Sequence, residues 1–293
     1  MSQVWLITGS SRGLGRSLAE AVLAAGNRLV ATARDPKQLG DLAEKYGGRV
    51  RAVALDVTDS AAARQAVQVA VDAFGRLDVL VNNAGYANVA SAEDMAEDDF
   101  HRQVETNLFG VINVSRAALP VMRRQRAGRI IQISSIGGRL ATPGLAAYQT
   151  AKWAVGGFSE VLAKEVAPLG IRVTVVEPGG MRTDWAGSSM HIDPVQPDYE
   201  ATVGMVAKQL HADPDAARGD PAKVAKVILR LAAEKEPPLH LLIGTDAVFL
   251  ARLAAEARAA EDARWETVSS STDFDGTGSF AESRVAAMML QQK

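Results

Sequence analysis

A tyrosine and a lysine stand four residues apart in AAYQTAKWAVGGFSE, Ala146–Glu160, a segment otherwise made mostly of alanine, glycine and small polar residues. On a helix this spacing places Tyr148 and Lys152 on one face, about one turn apart. The ammonium favours the phenolate and can lower the tyrosine pKa from about 10 by about 1–3 units, which suits acid/base chemistry. Taken alone, such a pair more often belongs to a solvated helix face.

A glycine-rich turn, TGSSRGLG at Thr8–Gly15, follows the first apolar run of the chain. Gly9, Gly13 and Gly15 let the backbone turn sharply and approach a ligand, and the next helix directs its N-terminal amides at the same space. The spacing differs from the GxGxxG of the broad dinucleotide fingerprint. The turn predicts a pyrophosphate site, and the alternative is a tight strand-to-helix turn without a ligand.

The end of the second apolar run, VATARDP, indicates which dinucleotide binds. NAD-binding proteins usually carry an acidic residue here, whereas this chain has Ala33 followed by Arg34. The guanidinium groups of Arg12 and Arg34 could converge on a 2′-phosphate through charge-assisted hydrogen bonds. The sequence therefore favours NADP(H) over NAD(H). Asp35 could reach a ribose, but Pro36 after it indicates a helix cap.

Polar residues close the third and fourth apolar runs. Asp56, in ALDVTD, could accept a hydrogen bond from an adenine amino group or could begin a turn. The amides of NNAG, Asn82–Gly85, could fix the backbone against a cofactor or tie neighbouring loops together. We expect NNAG to have both roles.

Seven short apolar runs recur with helical segments between them: VWLIT, RLVATA, VRAVAL, LDVLVNN, RIIQIS, IRVTVVEP and LHLLIG. They lack polar alternation, as strands covered on both faces do. Ala-rich segments between them end at Gly26 and Gly75, where helices stop. The order predicts an α/β fold: one doubly wound parallel sheet, a Rossmann fold of about seven strands with helices on both faces. The longest helical segment, about Glu97–Gln125, contains Pro120, which should kink or interrupt it.

We predict a single domain over residues 1–250, followed by a C-terminal helix and polar tail at 251–293. Within the domain, about 181–220 reads as an insertion with three X-Pro steps and no clear strand. Long insertions after a strand end build substrate lids in open sheets, although a flexible connection is the alternative. Its apolar residues favour an apolar substrate, and they could equally be packing residues: Trp185, Met190, Tyr199 and Met205.

Composition excludes several classes of protein. The 32 basic and 34 acidic residues leave no basic excess for a nucleic-acid partner. The chain has no cysteine, and its four histidines never stand at metal-ligand spacing, so we predict no metal. No run of about 18 apolar residues suggests a membrane span. With no leader pattern at the N-terminus, we expect a cytoplasmic protein.

The ordered set TGSSRGLG, NNAG, QISSIGG, YQTAK and PGGMRT resembles the short-chain dehydrogenase/reductase family, in its single-domain cytosolic branch, over roughly residues 3 to 250. The resemblance implies that Tyr148 is the acid/base and that Ser135 hydrogen-bonds the same substrate oxygen. It implies that Lys152 holds the nicotinamide ribose and that Asn107, in VETNLFG, binds a water that relays protons. Thr183 would hold the nicotinamide carboxamide.

The resemblance also implies a cofactor-binding set at the matching positions. That set is Gly9, Ser11, Arg12, Gly13, Leu14, Gly15, Arg34, Asp56, Val57, Asn83, Ala84, Gly85, Tyr148, Lys152, Pro178, Gly179 and Thr183. The family commonly pairs the Tyr148 helix with its copy in a second subunit, and the small residues around it suit such packing. We therefore predict a homodimer or homotetramer.

The leading functional hypothesis is an NADP(H)-dependent oxidoreductase that interconverts a secondary alcohol and a ketone, or an equivalent carbonyl such as a 3-oxoacyl thioester. A cofactor-binding sensor or scaffold without turnover is a second hypothesis, and an epimerase or dehydratase of the same family is a third. Glu177 stands where many relatives have asparagine, and it could change local polarity or brace a loop. His191 is interpreted as polar surface.

Overall fold

The computed structural model describes residues 2–183, 190–212, 217–274 and 276–290. The chain forms two compact units, Met1–Ala251 and Arg252–Lys293. The first contains the sheet and every residue predicted to act in catalysis or cofactor binding. The second consists of helical segments and turns. The division into domains at residue 250 stays a prediction from the sequence.

Seven parallel strands form the central sheet in the order β3-β2-β1-β4-β6-β7-β9. The order reverses beside β1, which lies between β2 and β4, and ligands bind at such switch points in open sheets. The seven apolar runs are these seven strands, so the predicted fold class is confirmed. The strands are β1 Val4–Ile7, β2 Arg28–Ala33, β3 Val50–Ala54, β4 Val79–Asn82, β5 Ala87–Val89, β6 Gly128–Ile133, β7 Ile171–Pro178, β8 Met190–Ile192 and β9 His240–Ile243.

Aspartate side chains cap several of the helical segments. Asp59 caps α3 by accepting from the amides of Ala61 and Ala62, and Gly75 ends it with φ of 79°. Asp35 caps the short turn that starts at Pro36, as the sequence predicts. The helices are α1 Gly13–Ala24, α2 Gly40–Tyr46, α3 Ser60–Phe74, α4 Glu97–Val104, α5 Gly110–Gln125, α6 Ala146–Val166, α7 Met205–Ala212, α8 Pro221–Ala233, α9 Thr245–Ser270 and α10 Arg284–Leu290.

Apolar cores lie on both faces of the sheet because successive strand residues point to opposite sides. Trp5 packs in the core shared with α1 and α8, whereas its neighbour Leu6 packs in the core shared with α3, α5 and α6. Both side chains are fully buried. The two covered faces explain the unbroken apolar runs, and they leave the strand ends as the place where polar groups can gather.

The structure corrects two expectations about individual elements. The predicted long helical segment extends over Glu97–Gln125 and continues through Pro120, so the proline does not interrupt it, and a π turn over Glu105–Phe109 lies between α4 and α5. Proline costs the helix one hydrogen bond, and burial of the neighbouring Ala118 and Met122 offsets that loss. The insertion also contains a strand, since β8 pairs in parallel with β5. Three-residue strands carry too little pattern to be recognised in a sequence.

Candidate active site

A cleft of about 1820 Å³ opens at the carboxyl ends of the sheet strands. It exceeds the roughly 300–1,000 Å³ of a typical small-molecule pocket, so a dinucleotide and a substrate both fit. Of the residues predicted to act, Gly15 and Asn107 do not line it. The others do: Gly9, Ser11, Arg12, Gly13, Leu14, Arg34, Asp56, Val57, Asn83, Ala84, Gly85, Ser135, Tyr148, Lys152, Pro178, Gly179 and Thr183.

One end of the cleft, which we call the glycine side, consists of the turn Gly9–Gly15 with the ends of β2 and β3. Gly9 and Gly13 have φ of 69° and 55°, the left-handed region that favours glycine. A Cβ on Gly15 would lie 2.1 Å from the Gly9 carbonyl oxygen, so Gly15 serves the packing of the turn itself. Arg12 is the N-cap residue of α1, and an arginine side chain has no acceptor that could cap the helix. The amides of the first helical turn can therefore bind an anion. A pyrophosphate fits this cradle.

The residues predicted to read the adenosine end also lie on the glycine side. Arg12, Arg34 and Asp56 all line the cleft. The Asp56 carboxylate accepts from the Thr58 amide at 3.0 Å and from the Thr58 hydroxyl at 2.7 Å, so it also begins a turn. Of the two alternatives for Asp56, the structural one is therefore realised, and the adenine contact stays a prediction.

The two amides of NNAG tie the structure together. Asn82 donates to Ser115 and Gln132 within the core. Asn83 donates to the Thr8 carbonyl at 3.0 Å and to the Gly9 carbonyl at 3.1 Å, which fixes the glycine turn to the end of β4. The segment therefore holds the walls of the cleft in place.

Tyr148, Ser135 and Lys152 meet in the middle of the cleft. Tyr148 and Lys152 lie on α6, and the ammonium nitrogen of Lys152 is 5.6 Å from the centroid of the tyrosine ring. Ser135 follows β6 and hydrogen-bonds with Tyr148. Lys152 donates to the Ile133 carbonyl at 2.8 Å, which holds the ammonium near the end of β6. Helical spacing and a strand end thus bring these three groups together.

Burial governs the acidity of this pair. It raises the pKa of Tyr148 to about 12, although the hydrogen bond with Ser135 opposes the rise. It lowers the pKa of Lys152 to about 8. The expected lowering of the tyrosine pKa is therefore not found in the protein by itself, because desolvation of the phenolate outweighs the hydrogen bond with Ser135. At neutral pH Tyr148 holds its proton.

Asn107 lies behind the cleft, in the π turn between α4 and α5. Its side chain is fully buried, donates to the Tyr86 carbonyl at 2.8 Å and accepts from the Tyr86 amide at 3.0 Å. A Cβ on Gly85 would lie 2.6 Å from the Asn107 side-chain oxygen, so the amide packs closely against the end of NNAG. The predicted contact with a relay water is untested, and π turns occur often at functional sites.

The other end of the cleft, the insertion side, is built by residues that the sequence did not single out. Asn88 bonds Asp99 at 2.8 Å and accepts from the His191 amide at 3.2 Å, which joins β5 to β8. The Gln149 side chain accepts a hydrogen bond from the Thr142 amide at 2.8 Å and donates one to the Thr142 hydroxyl at 3.1 Å. In the sequence of this chain, the only feature that could have indicated a role for Gln149 in the site is its position directly after Tyr148. Side chains that line this end include Asn88, Leu140, Thr142, Leu145, Gln149, Met190 and His191.

The apolar residues expected in the lid have different positions. Met190 and His191 line the cleft, and the His191 side chain is also 71% exposed, in line with its interpretation as polar surface. Tyr199 packs beside the cluster around Tyr148 and donates its hydroxyl to Glu93 at 2.6 Å. Met205 is exposed and does not line the cleft. Trp185 lies outside the described residues.

Glu177 braces a loop. Its carboxylate is buried and receives two hydrogen bonds from Arg139, at 2.9 and 2.6 Å. The Nδ1 atom of His240 lies 3.2 Å from the same carboxylate. Burial raises the pKa of the Glu177 carboxyl, but His240 and Arg139 outweigh it and hold that pKa below its ordinary value. The charge is therefore retained and paired.

Fold and cleft together define a protein of the Rossmann type, with a glycine cradle that fits a dinucleotide and with a tyrosine, a serine and a lysine in the middle of the cleft. Comparisons with known proteins narrow this class. The family model described as short chain dehydrogenase matches residues 3–192. The chain belongs to this family, as the sequence motifs predict, and it is an oxidoreductase that uses a nicotinamide cofactor.

Known proteins are similar to this chain over most of its length. Oxidoreductase BOA17 from Botryotinia fuckeliana is 55% identical over 92% of this chain and 98% of its own. A 3-ketodihydrosphingosine reductase from Bacteroides thetaiotaomicron is 36% identical over 83% of this chain and 88% of its own. The crystal structure of a short-chain dehydrogenase from Streptomyces avermitilis superposes with a TM-score of 0.88 at 40% identity, covering 94% of this chain and 100% of that one. Among the described residues, no helix has the length and apolar character to span a bilayer.

Proposed function

We propose that this protein is an NADP(H)-dependent oxidoreductase that interconverts a ketone or similar carbonyl with a secondary alcohol. The observation that carries the proposal is that Tyr148, Ser135 and Lys152 meet in the middle of a cleft that has a glycine cradle at one end. Bound NADP(H) would supply or accept the hydride. The residues of the chain then have to bind the carbonyl oxygen and move one proton.

Tyr148 and Ser135 handle that oxygen. In reduction, the Tyr148 hydroxyl donates its proton to the oxygen as negative charge develops there, and the Ser135 hydroxyl donates a second hydrogen bond. The pKa of about 12 supports this direction, since the phenol is protonated at neutral pH. In oxidation the phenolate takes the alcohol proton, and the ammonium of Lys152 stabilises that phenolate.

Lys152 and Asn107 would return the proton to solvent. The pKa of Lys152, about 8, lets the amine gain and lose a proton near neutral pH. Asn107 lies close to the lysine, since its side-chain oxygen and the lysine nitrogen both approach Gly85. We infer that a water held beside the π turn links Lys152 to solvent.

The cofactor preference follows from charge on the glycine side. Arg12 and Arg34 line the cleft where the adenosine end would lie, and Asp35 is engaged in capping the next turn. Bidentate arginine contacts suit a 2′-phosphate. We therefore favour NADP(H) over NAD(H). Thr183 lies over Gly13 of the glycine turn, and the proposal that it holds the nicotinamide carboxamide rests on the family resemblance.

The substrate is a small molecule with an apolar part. Leu140, Leu145 and Met190 line the insertion side, and a few polar groups among them would orient the ligand. Assembly into a homodimer or homotetramer is part of the proposal. Among the described residues, nothing lies within 4 Å of a Cβ built on Gly156 or Gly157 of α6, so another helix can approach there. A cytoplasmic location stays a prediction from the sequence.

The test is a titration of the purified protein with NADPH and NADH, followed by a carbonyl screen that monitors NADPH oxidation. Arg34→Asp should weaken NADPH binding by about 30- to 100-fold, because an attractive charge becomes a repulsive one. Arg28→Asp, at the other end of β2, is the matched control. Equal binding of NADH and NADPH would contradict the cofactor preference, and binding without hydride transfer to any carbonyl would indicate a sensor.

A further inference from the structure

Four charged or titratable side chains form a cluster beside the cleft: Glu177, Arg139, His240 and Glu160. Glu177 is the second-last residue of β7, and its side chain is 3% exposed. Arg139 meets it through Nε and Nη2, one nitrogen to each carboxylate oxygen. This two-point pairing fixes both the distance and the orientation of the partners.

The pair joins the two segments on which the proposed reaction depends. Arg139 follows directly after the turn Ile136–Gly138, which Ser135 begins by accepting from the Gly137 amide. Glu177 directly precedes Pro178–Gly180, which lines the cleft. The strands run side by side at this point, since the Ser134 amide donates to the Val176 carbonyl at 2.8 Å. The pairing of β6 with β7 ends at this point, and the Arg139–Glu177 pair adds a side-chain connection between the segments that follow.

His240 extends the cluster to β9 and α6. Its Nδ1 atom is 3.2 Å from Glu177 and its Nε2 atom is 3.1 Å from Glu160. Both ring nitrogens face carboxylates, so the protonated imidazolium satisfies both. Glu160 is more than half exposed and joins the cluster through its bond with His240. It therefore provides a control within the same cluster.

We propose that Glu177 is a positioning residue, which through Arg139 fixes the turn of Ser135 relative to Pro178–Gly180. The inference rests on the proposed function. In this role the buried carboxylate keeps the serine hydroxyl and the cofactor segment at a set separation while the carbonyl is bound between them. A displacement of about 1 Å at a reacting centre can cost about 100-fold in rate.

The first readout does not require turnover. Hydrogen exchange followed by mass spectrometry reports on the Gly138 and Arg139 amides, which donate to the carbonyls of Ser135 and Ile136. Glu177→Gln and Arg139→Gln should each speed exchange in peptides covering residues 134–142 by about fivefold or more, as loss of a net hydrogen bond predicts. Glu160→Gln should leave it unchanged. Unchanged exchange in both Glu177→Gln and Arg139→Gln would overturn the proposal.

The second readout is kinetic. Glu177→Gln should lower kcat by about 10- to 100-fold and change the Kd for NADPH by less than about threefold, since the phosphates bind elsewhere. In a Ser135→Ala background the same substitution should lower kcat by less than about threefold, because the positioned group is gone. An equal loss in both backgrounds would mean that Glu177 merely stabilises the fold. Arg139→Gln repeats the comparison from a half-exposed position in case Glu177→Gln does not fold.

The two proposals fail in different ways. If the unaltered protein binds NADPH but reduces no carbonyl, the proposed function fails. Exchange at residues 134–142 then decides whether Glu177 fixes the turn. If the protein reduces ketones and Glu177→Gln matches it in both exchange and kcat, the function stands and the positioning role is refuted.

Discussion

The two ends of the cleft are built from different parts of the chain. On the glycine side the walls are mainly backbone: left-handed glycines, helix amides and strand ends, all within short sequence segments. On the insertion side the walls are side chains from segments about 100 residues apart, joined by contacts such as the Asn88 bond to the His191 amide. Tyr148 and Lys152 lie where the two sides meet.

The difference explains why the two sides vary in what they can recognise. A cradle of backbone amides suits phosphates, which every dinucleotide carries. It tolerates few substitutions, because other residues rarely adopt the left-handed conformations of its glycines. A wall of side chains can change one residue at a time without disturbing the sheet. We expect substitutions on the glycine side to affect cofactor binding and folding, and those on the insertion side to affect the substrate alone.

The largest effect is expected at the junction of the two sides. Tyr148→Phe removes the proposed proton donor and should lower kcat for ketone reduction by about 1,000-fold, within the range known for general acids. The Kd for NADPH, set by the glycine side, should stay within about twofold. Tyr46→Phe on α2 is the control. A kcat within tenfold of the unaltered protein would exclude Tyr148 as the acid.

Gly15→Ala tests whether the glycine side depends on its backbone. The new Cβ would lie 2.1 Å from the Gly9 carbonyl oxygen, so the turn must shift. We expect the free energy of unfolding to fall by about 1–3 kcal/mol and NADPH affinity to fall about tenfold or more. Gly40→Ala is the matched control, because Gly40 has φ of −58° and, among the described residues, no close neighbour to meet a Cβ. Denaturant unfolding and fluorescence titration supply both values.

Lys152 should give the junction a stability that depends on pH. Its pKa is about 8 in the folded protein, below the ordinary 10.5, so the folded state releases its proton first as pH rises. The cost of the buried charge is therefore full below about pH 8 and disappears towards pH 10.5, and stability rises with pH in between.

The comparison is between the unaltered protein and Lys152→Met, unfolded by urea at pH 7 and at pH 9.5. The unaltered protein should gain about 2 kcal/mol relative to the variant between these two values. Lys164→Met, at an exposed position of the same helix, should show no such gain. A constant difference between Lys152→Met and the unaltered protein would mean that the buried lysine stays charged throughout.

Asn88→Ala tests the insertion side and should have the smallest effect. It removes the bond from the His191 amide, which joins β5 to β8, and the bond to Asp99 on α4. We expect KM for the ketone to rise about fivefold, the cost of about one net hydrogen bond, with the Kd for NADPH unchanged. Thr202→Ala, whose hydroxyl bonds Tyr199 away from the cleft lining, is the control. A weakened affinity for NADPH would contradict the separation of the two sides.

Sequence reasoning succeeded where a signal is local. Seven apolar runs predicted seven strands, and a proline after Asp35 predicted the cap that the structure contains. It failed where a signal is too short to recognise, as at β8, a three-residue strand inside the insertion. The direction of the Tyr148 pKa was also missed, because the degree of burial cannot be read from the spacing of two residues.

The glycine turn, the alternation of strands with helices and the helical spacing of Tyr148 and Lys152 follow from the sequence alone, because backbone conformation and periodicity are local properties. Only the tertiary structure decided what Glu177 does, since its partners Arg139 and His240 lie 38 and 63 positions away. It also decided which side chains form the insertion side. Contacts between distant segments depend on the order of the strands, on how the helices pack against the sheet and on which groups become buried. No short sequence pattern encodes these properties.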